Sequence, residues 1–354
     1  MSRHPYTQQP TQAFWSKSVA APAPSEVDPV GALGMALKAS DNVATAGSCF
    51  AQHIARHLKG AGLGYLVTER GHALGAPDLE AFNYETFTAR YGNIYTSRQL
   101  LQLFQRAYGT FHPKDDLWAE GPFRFVDPFR PQIQPSGFLS ERELRLDRDV
   151  HLAAVREAFE MLDVLVFTLG LTECWRSRED GAVYPVCPGA SGGTFDAERY
   201  EFVNLEVGDV VDDLGEFLRL LRGVNPGARM ILTVSPVPLV ATATAEHVLS
   251  ATTYSKSVLR VAAEMMAKKN EGVAYFPSYE VITGSFNRGR YFAEDLRSVT
   301  EEGVSHVMRL FLKHLYGIEG VVEQRAAEVA IDAKVGAAER AIRVMCDEKA
   351  LELQ

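Results

Sequence analysis

The chain has 354 residues, enough for one large domain with extensions or for two small ones, and its 46% apolar content allows a sizeable core. Its formal net charge of -9 argues against nucleic acid as a partner, because phosphate binding wants a basic face. Its 4 cysteines (Cys49, Cys174, Cys187 and Cys346) lack Cys-x-x-Cys spacing, which excludes a zinc ribbon and favours reduced thiols over a disulfide framework.

No run approaches the ~20 apolar residues of a membrane span, and the first residues lack an apolar stretch of signal-peptide length. The expectation is a cytoplasmic protein. Residues 1–40, punctuated by prolines at 5, 10, 22, 24 and 29, read as an irregular arm pinned by Phe14 and Trp15. Val43 to Gly47 reads as a first strand and 50–60 as a first helix; Leu63 to Val67 follows as a short second strand. Arg98 to Arg106 and His151 to Leu162 carry helical periodicity. Val164 to Leu169 is a continuous apolar run, as expected of a strand buried on both faces. Residues 176–204, rich in Gly, Pro and charge, read as a surface excursion. A helix over Val210 to Leu221, a strand over Met230 to Val234, a long helix from about Ala245 to Lys268, a strand over Val273 to Phe276 and a helix over Val304 to Leu315 complete the series. Strands alternating with helices predict an α/β fold: a three-layer α/β/α sandwich on a mainly parallel, five-stranded sheet of flavodoxin-like order. This domain spans 41–318. The charged, Ala-rich segment 319–354 reads as a helix, suited either to a solvated periphery or to homo-oligomer contacts.

The chemistry is expected where the first strand ends, at Gly47-Ser48-Cys49-Phe50-Ala51. A strand that turns directly into a helix leaves its turn at the C-terminal edge of the sheet, where ligands bind in open α/β folds. A hydroxyl there stands near helix N–H groups that favour developing negative charge. The plainer reading makes Ser48 a helix cap. Cys49 is either a rival nucleophile or a small buried side chain. His53 and His57 have metal-compatible i,i+4 spacing, but no third ligand accompanies them, so no metal and no cofactor are implied.

Gly47-Ser48-Cys49-Phe50-Ala51 resembles the signature of the GSCFA family. So do Thr168-Leu169-Gly170-Leu171-Thr172-Glu173, Leu232 to Pro238, Tyr254 to Arg260 and Tyr275 to Glu280. The resemblance covers roughly 40–316. It extends to the SGNH/GDSL hydrolases, which implies a Ser48 nucleophile, an oxyanion N–H at Gly92 and ester chemistry, on carbohydrate in some members. Three departures stand against that pattern. Gly47 replaces the Asp that usually precedes the serine. Thr172 stands where an Asn amide would donate, so either Thr172 or Asn93 takes that place. The last block keeps Asp295 but has Ser298 in place of the general-base histidine, and Ser298-Val299-Thr300-Glu301 reads as a capping box instead.

A serine without a base is a weak nucleophile. The replacement is expected to be His247, on the loop after the fourth strand, ahead of His72 and then His306, which falls off the apolar stripe of its helix and reads as solvated. Glu173 is either a carboxylate that orients a histidine or an acceptor for loop N–H groups. Lys256 pairs with an acid at the site's edge or is solvated. The expected function is a serine esterase or O-acyltransferase acting on a small-molecule or glycan ester. The alternative is a non-catalytic descendant that binds a glycan or a protein in the same cleft.

Overall fold

A computed structural model describes residues 4–71, 79, 81–318 and 351. Lys38–Tyr275 forms one compact unit; the described residues up to Leu37, with 276–318, form a second. His72 and, apart from Leu351, the C-terminal segment 319–354 lie outside the described residues.

In the larger unit, β1 (Val43–Gly47) runs through Ser48 to α1 (Ala51–Gly60). Next come α2 (Ser97–Ala107), a hairpin of β2 (Trp118–Ala119) and β3 (Phe125–Val126), and α3 (Glu141–Met161). After β4 (Val164–Leu169), the chain makes β5 (Glu173–Ser177), β6 (Val183–Tyr184) and β7 (Tyr200–Asn204). It closes with α4 (Val207–Val224), β8 (Arg229–Val234), α5 (Val248–Lys269) and β9 (Val273–Tyr275). The sheet is parallel, in the order β1-β4-β8-β9. Every residue of β1 and β4 is buried, which is why these runs lack polar alternation. Helices flank the sheet: α1 packs on β1 and β4, and α5 on β8 and β9, while α2, α3 and α4 pack on one another.

Among the described residues this sheet has four strands rather than the expected five. The expected strand at 63–67 shrinks to a single parallel bridge, Val43 to Tyr65. Gly64 explains why. Its carbonyl accepts from Val43 N–H at 2.7 Å, but its Cα approaches Asp41 so closely that an added Cβ would lie 2.3 Å from Asp41 O. The backbone is pinned there by a turn and leaves the ladder at once. The supposed surface excursion is also ordered: β6-β5-β7 is an antiparallel sheet whose Ala182, Tyr184 and Tyr200 pack with Trp118 and Val126.

A buried ion network ties the long connection after α1 to α3. Arg90 meets Glu69 and Asp147, Arg130 meets Asp127 and Asp147, and Arg148 meets Asp116 and Asp127. Burial works against ionised Asp127, but Arg148 and Arg130 outweigh it and hold the carboxyl well below its ordinary range.

The second unit carries short 3-10 or π turns over 5–26, then α6 (Ser278–Thr283) and α7 (Glu301–Tyr316). Trp15 is 69% exposed, so it does not anchor the arm. The cap of α7 is Thr300, whose hydroxyl accepts from Gly303 N–H, and not Ser298. His306 is buried rather than solvated. Gly303, one turn earlier, has no Cβ, and the Tyr291 ring fills that space, so a second face of the helix is covered. Tyr291 Oη then reaches His306 Nδ1 at 2.8 Å, and His306 Nε2 donates to Val27 O at 2.9 Å.

Two predictions follow from these contacts. Gly47 has φ +137°, and a Cβ there would lie 2.3 Å from Thr168 O. Gly47→Ala should therefore destabilise the fold by more than about 1 kcal/mol, read from the urea midpoint. Burial, then Arg56 and His57, push His53 down to about 3; burial, then Arg309, push His306 to about 4. Both titrate near 6.5 when unfolded, so below that pH the unfolded chain binds protons that the folded chain refuses. Stability should be full above about pH 6.5 and fall as the pH drops toward 4. A urea midpoint at pH 5 equal to that at pH 7 would contradict this.

Candidate active site

Three separated segments meet at the C-terminal end of β1. Ser48 N–H continues the parallel ladder, donating to Thr168 O at 3.1 Å. Gly47 O accepts from Ile94 N–H at 2.8 Å, which places Gly92-Asn93-Ile94 beside the turn. Tyr95 O in turn accepts from Gly170 N–H at 2.9 Å and Leu171 N–H at 3.1 Å. The triangle is closed by Gly170: a Cβ there would lie 3.1 Å from Ser48 Cβ and 3.0 Å from Tyr95 O. A side chain at 170 would force Ser48 or the Tyr95 backbone to give by a few tenths of an ångström.

Ser48 does not cap the helix. The cap residue of α1 is Phe50, in helical conformation, with no side-chain cap bond. Ser48 Oγ is buried and has no hydrogen-bond partner among the described residues, as is Thr168 Oγ1. A buried hydroxyl left unbonded costs about 1–3 kcal/mol, so its retention calls for an explanation.

The oxyanion candidates differ in availability. Gly92, at φ +71°, has an N–H with no partner among the described residues. Asn93 is buried, and its Oδ1 accepts from Gln52 Nε2 at 3.2 Å, which links it to the first turn of α1. Thr172 Oγ1 donates to Asn204 Oδ1 at 2.6 Å, and its N–H goes to Ser255 Oγ at 3.0 Å, so its hydroxyl proton is already engaged.

No histidine among the described residues is bonded to Ser48. His247 is exposed and caps α5, its Nδ1 accepting from Leu249 N–H at 3.1 Å. A neutral imidazole that accepts at Nδ1 carries its proton on Nε2, so in this cap neither nitrogen offers a free lone pair. His306 has both nitrogens engaged, as described above. His57 Nδ1 donates to His53 O along their own helix. Glu173 accepts from Thr242 Oγ1 at 2.6 Å and Ala243 N–H at 3.2 Å, holding the loop after β8 rather than a histidine. Asp295 accepts from Arg297 N–H, Ser298 N–H and Ser298 Oγ. Burial raises its pKa, but the Ser298 hydroxyl and these N–H groups outweigh it and bring it below the usual range.

Lys256 was read from the sequence as an edge or solvated residue; it is 2% exposed. Its Nζ donates to Gly170 O at 2.6 Å, on the residue that walls Ser48. The signal for it lies in its neighbour. Ala251, Ser255, Leu259, Ala262 and Met266 form the buried stripe of α5, so a serine on an apolar stripe marks that turn as one that faces polar backbone.

No curated protein matches the chain. A family model described as the GSCFA family matches residues 42–311, about three quarters of the sequence, so the chain belongs to the GSCFA family.

Proposed function

We propose that the chain is a serine-dependent esterase or O-acyltransferase of the SGNH/GDSL type, acting on a carbohydrate ester or a precursor of one. One observation carries the reading: a buried, unbonded Ser48 hydroxyl at the strand-to-helix turn, in a space kept open by Gly170. The strand order supports it. Counting the single bridge at Tyr65, the parallel order is 2-1-3-4-5 in chain sequence, the doubly wound arrangement that binds ligands at this edge.

Ser48 Oγ attacks the ester carbonyl. We assign the base to Lys256 over His247, because Lys256 is buried and its Nζ donates to Gly170 O, on the residue that walls Ser48, whereas His247 must give up its cap to accept a proton. A neutral lysine amine keeps two N–H bonds and a lone pair; it can donate to Gly170 O and still take the Ser48 proton. Serine–lysine pairs are a recurring variant of the serine triad. The oxyanion is held by Gly92 N–H and by Asn93. Lys256 then protonates the leaving alcohol, and water or an acceptor alcohol resolves the acyl-Ser48. Ser48 Oγ is shielded from solvent, so ester entry requires a movement that uncovers it.

A second reading, a non-catalytic binder in the same cleft, is favoured by the engagement of Ser48 N–H with Thr168 O, which removes one oxyanion donor. The two are separated with acetyl esters, both chromogenic and carbohydrate-borne. Ser48→Ala should reduce turnover to background, and Lys256→Ala should lower it by about a hundredfold or more. Lys256→Arg should not restore it, since guanidinium is not a base at neutral pH. His247→Ala should leave it nearly unchanged, and Gly170→Ala should depress it through the 3.1 Å approach to Ser48 Cβ. Turnover that survives Ser48→Ala contradicts the enzyme reading. A wild-type protein that binds the esters without turning them over establishes the second.

A further inference from the structure

A second polar centre lies inside the ion network. Arg90, Arg130 and Arg148 each reach two carboxylates, but Arg106 reaches none within 4.0 Å and makes no side-chain hydrogen bond among the described residues. It is 8% exposed, and its guanidinium stacks on Phe129, 3.7 Å from the ring centroid. Burial, against the pull of Asp127, brings its pKa to about 9, so it stays charged at neutral pH. An uncompensated buried charge is costly, and proteins either pair it or neutralise it.

Arg106 lines a small cavity with His151, Asn93, Gln99 and Arg130. His151, 1% exposed, donates through Nδ1 to Glu69 Oε2 at 2.8 Å. Burial raises the Glu69 pKa, but His151, Arg130 and Arg90 N–H outweigh it and bring it to about 2, so Glu69 is a carboxylate that fixes this tautomer. Burial and Arg130 keep the imidazole itself neutral. His151 Nε2 is then a buried acceptor, and it has no partner. The cavity thus combines an unpaired cation with one unfilled acceptor. Its volume of about 20 Å³ exceeds the roughly 10–15 Å³ that one water needs, and it excludes anything as large as a sugar phosphate.

We propose that this cavity is a binding site for a small oxyanion bearing a hydroxyl proton, of the size and type of hydrogencarbonate, held between Arg106 and His151. The charged oxygens accept from the Arg106 guanidinium, and the hydroxyl donates to His151 Nε2. A water satisfies the nitrogen but leaves the charge. A halide or nitrate satisfies the charge but leaves the nitrogen. The cavity shares Asn93 with the Ser48 site, but Arg106 and His151, which hold the ion, take no part in the Ser48 chemistry.

The test is thermal unfolding of the full chain in carbonate-free, chloride-free buffer, titrated with hydrogencarbonate and, separately, with nitrate. Nitrate has the same plane and charge but no proton. Hydrogencarbonate should raise Tm with the logarithm of its concentration above Kd, by about 3–4 °C at a hundredfold excess over Kd, and nitrate should raise it less. Arg106→Met, which keeps the contact with Phe129, should abolish the response and raise Tm in anion-free buffer by removing the unpaired charge. Equal responses to the two anions, or none to hydrogencarbonate, would overturn the proposal; both readouts need only the wild-type chain, so a variant that fails to fold leaves the test intact.

Discussion

The close approach of β1 to β4 at Gly47 is the constraint on which the rest of the candidate site depends. A Cβ at position 47 would lie 2.3 Å from Thr168 O, so with a side chain there the two strands would have to draw apart. Ser48 N–H would then lose Thr168 O, and Ile94 N–H would lose Gly47 O. An Asp at position 47 has no room in such a turn. Close packing recurs at Gly170, where the wall of the Ser48 site is backbone rather than side chain. Two missing Cβ atoms bring three distant segments to one place.

Polar groups around that place are nearly all engaged, and this sharpens the few that are not. Thr172, Glu173, Ser255 and Asn93 have partners that hold loops in position. The exceptions among the described residues are the Ser48 and Thr168 hydroxyls and Gly92 N–H, all close to the end of β1. Elsewhere the unpartnered His151 Nε2 and the lone Arg106 stand out against a network in which every other buried arginine is doubly paired. Because a buried group without a partner is destabilising, each such group is a physical pointer to a ligand or to a reacting atom.

The four sheet strands were legible in the sequence because each is an unbroken apolar run, and the turn at Gly47-Ser48 was legible because the period changes there from strand to helix. Leu63 to Val67 looked like a strand by composition, but the approach of Gly64 to Asp41 is a tertiary contact that composition does not carry. The β5-β6-β7 sheet was hidden because several of its residues are only half-buried and charged ones such as Arg176 and Glu201 pair across strands. Ser298 and Thr300 each precede a helical first turn by a plausible interval, and only the Asp295 carboxylate, which accepts from Ser298, decides between them. His306 fell off one stripe but lies under Tyr291, which closes over Gly303. Buried arginines and Lys256 escaped notice for a simpler reason: in sequence a buried charge looks like a solvated one, and only its partners reveal it.

We propose Ser48 as a nucleophile activated from within its own unit. Its most direct measurement is mass spectrometry of the protein after reaction with an ester-mimicking fluorophosphonate, with the modified peptide sequenced. The account predicts a single stoichiometric adduct on Ser48 that fails to form in Lys256→Ala while forming in His247→Ala. Labelling of another residue, such as Cys49 or Thr168, or no adduct on a folded wild-type chain, would contradict it.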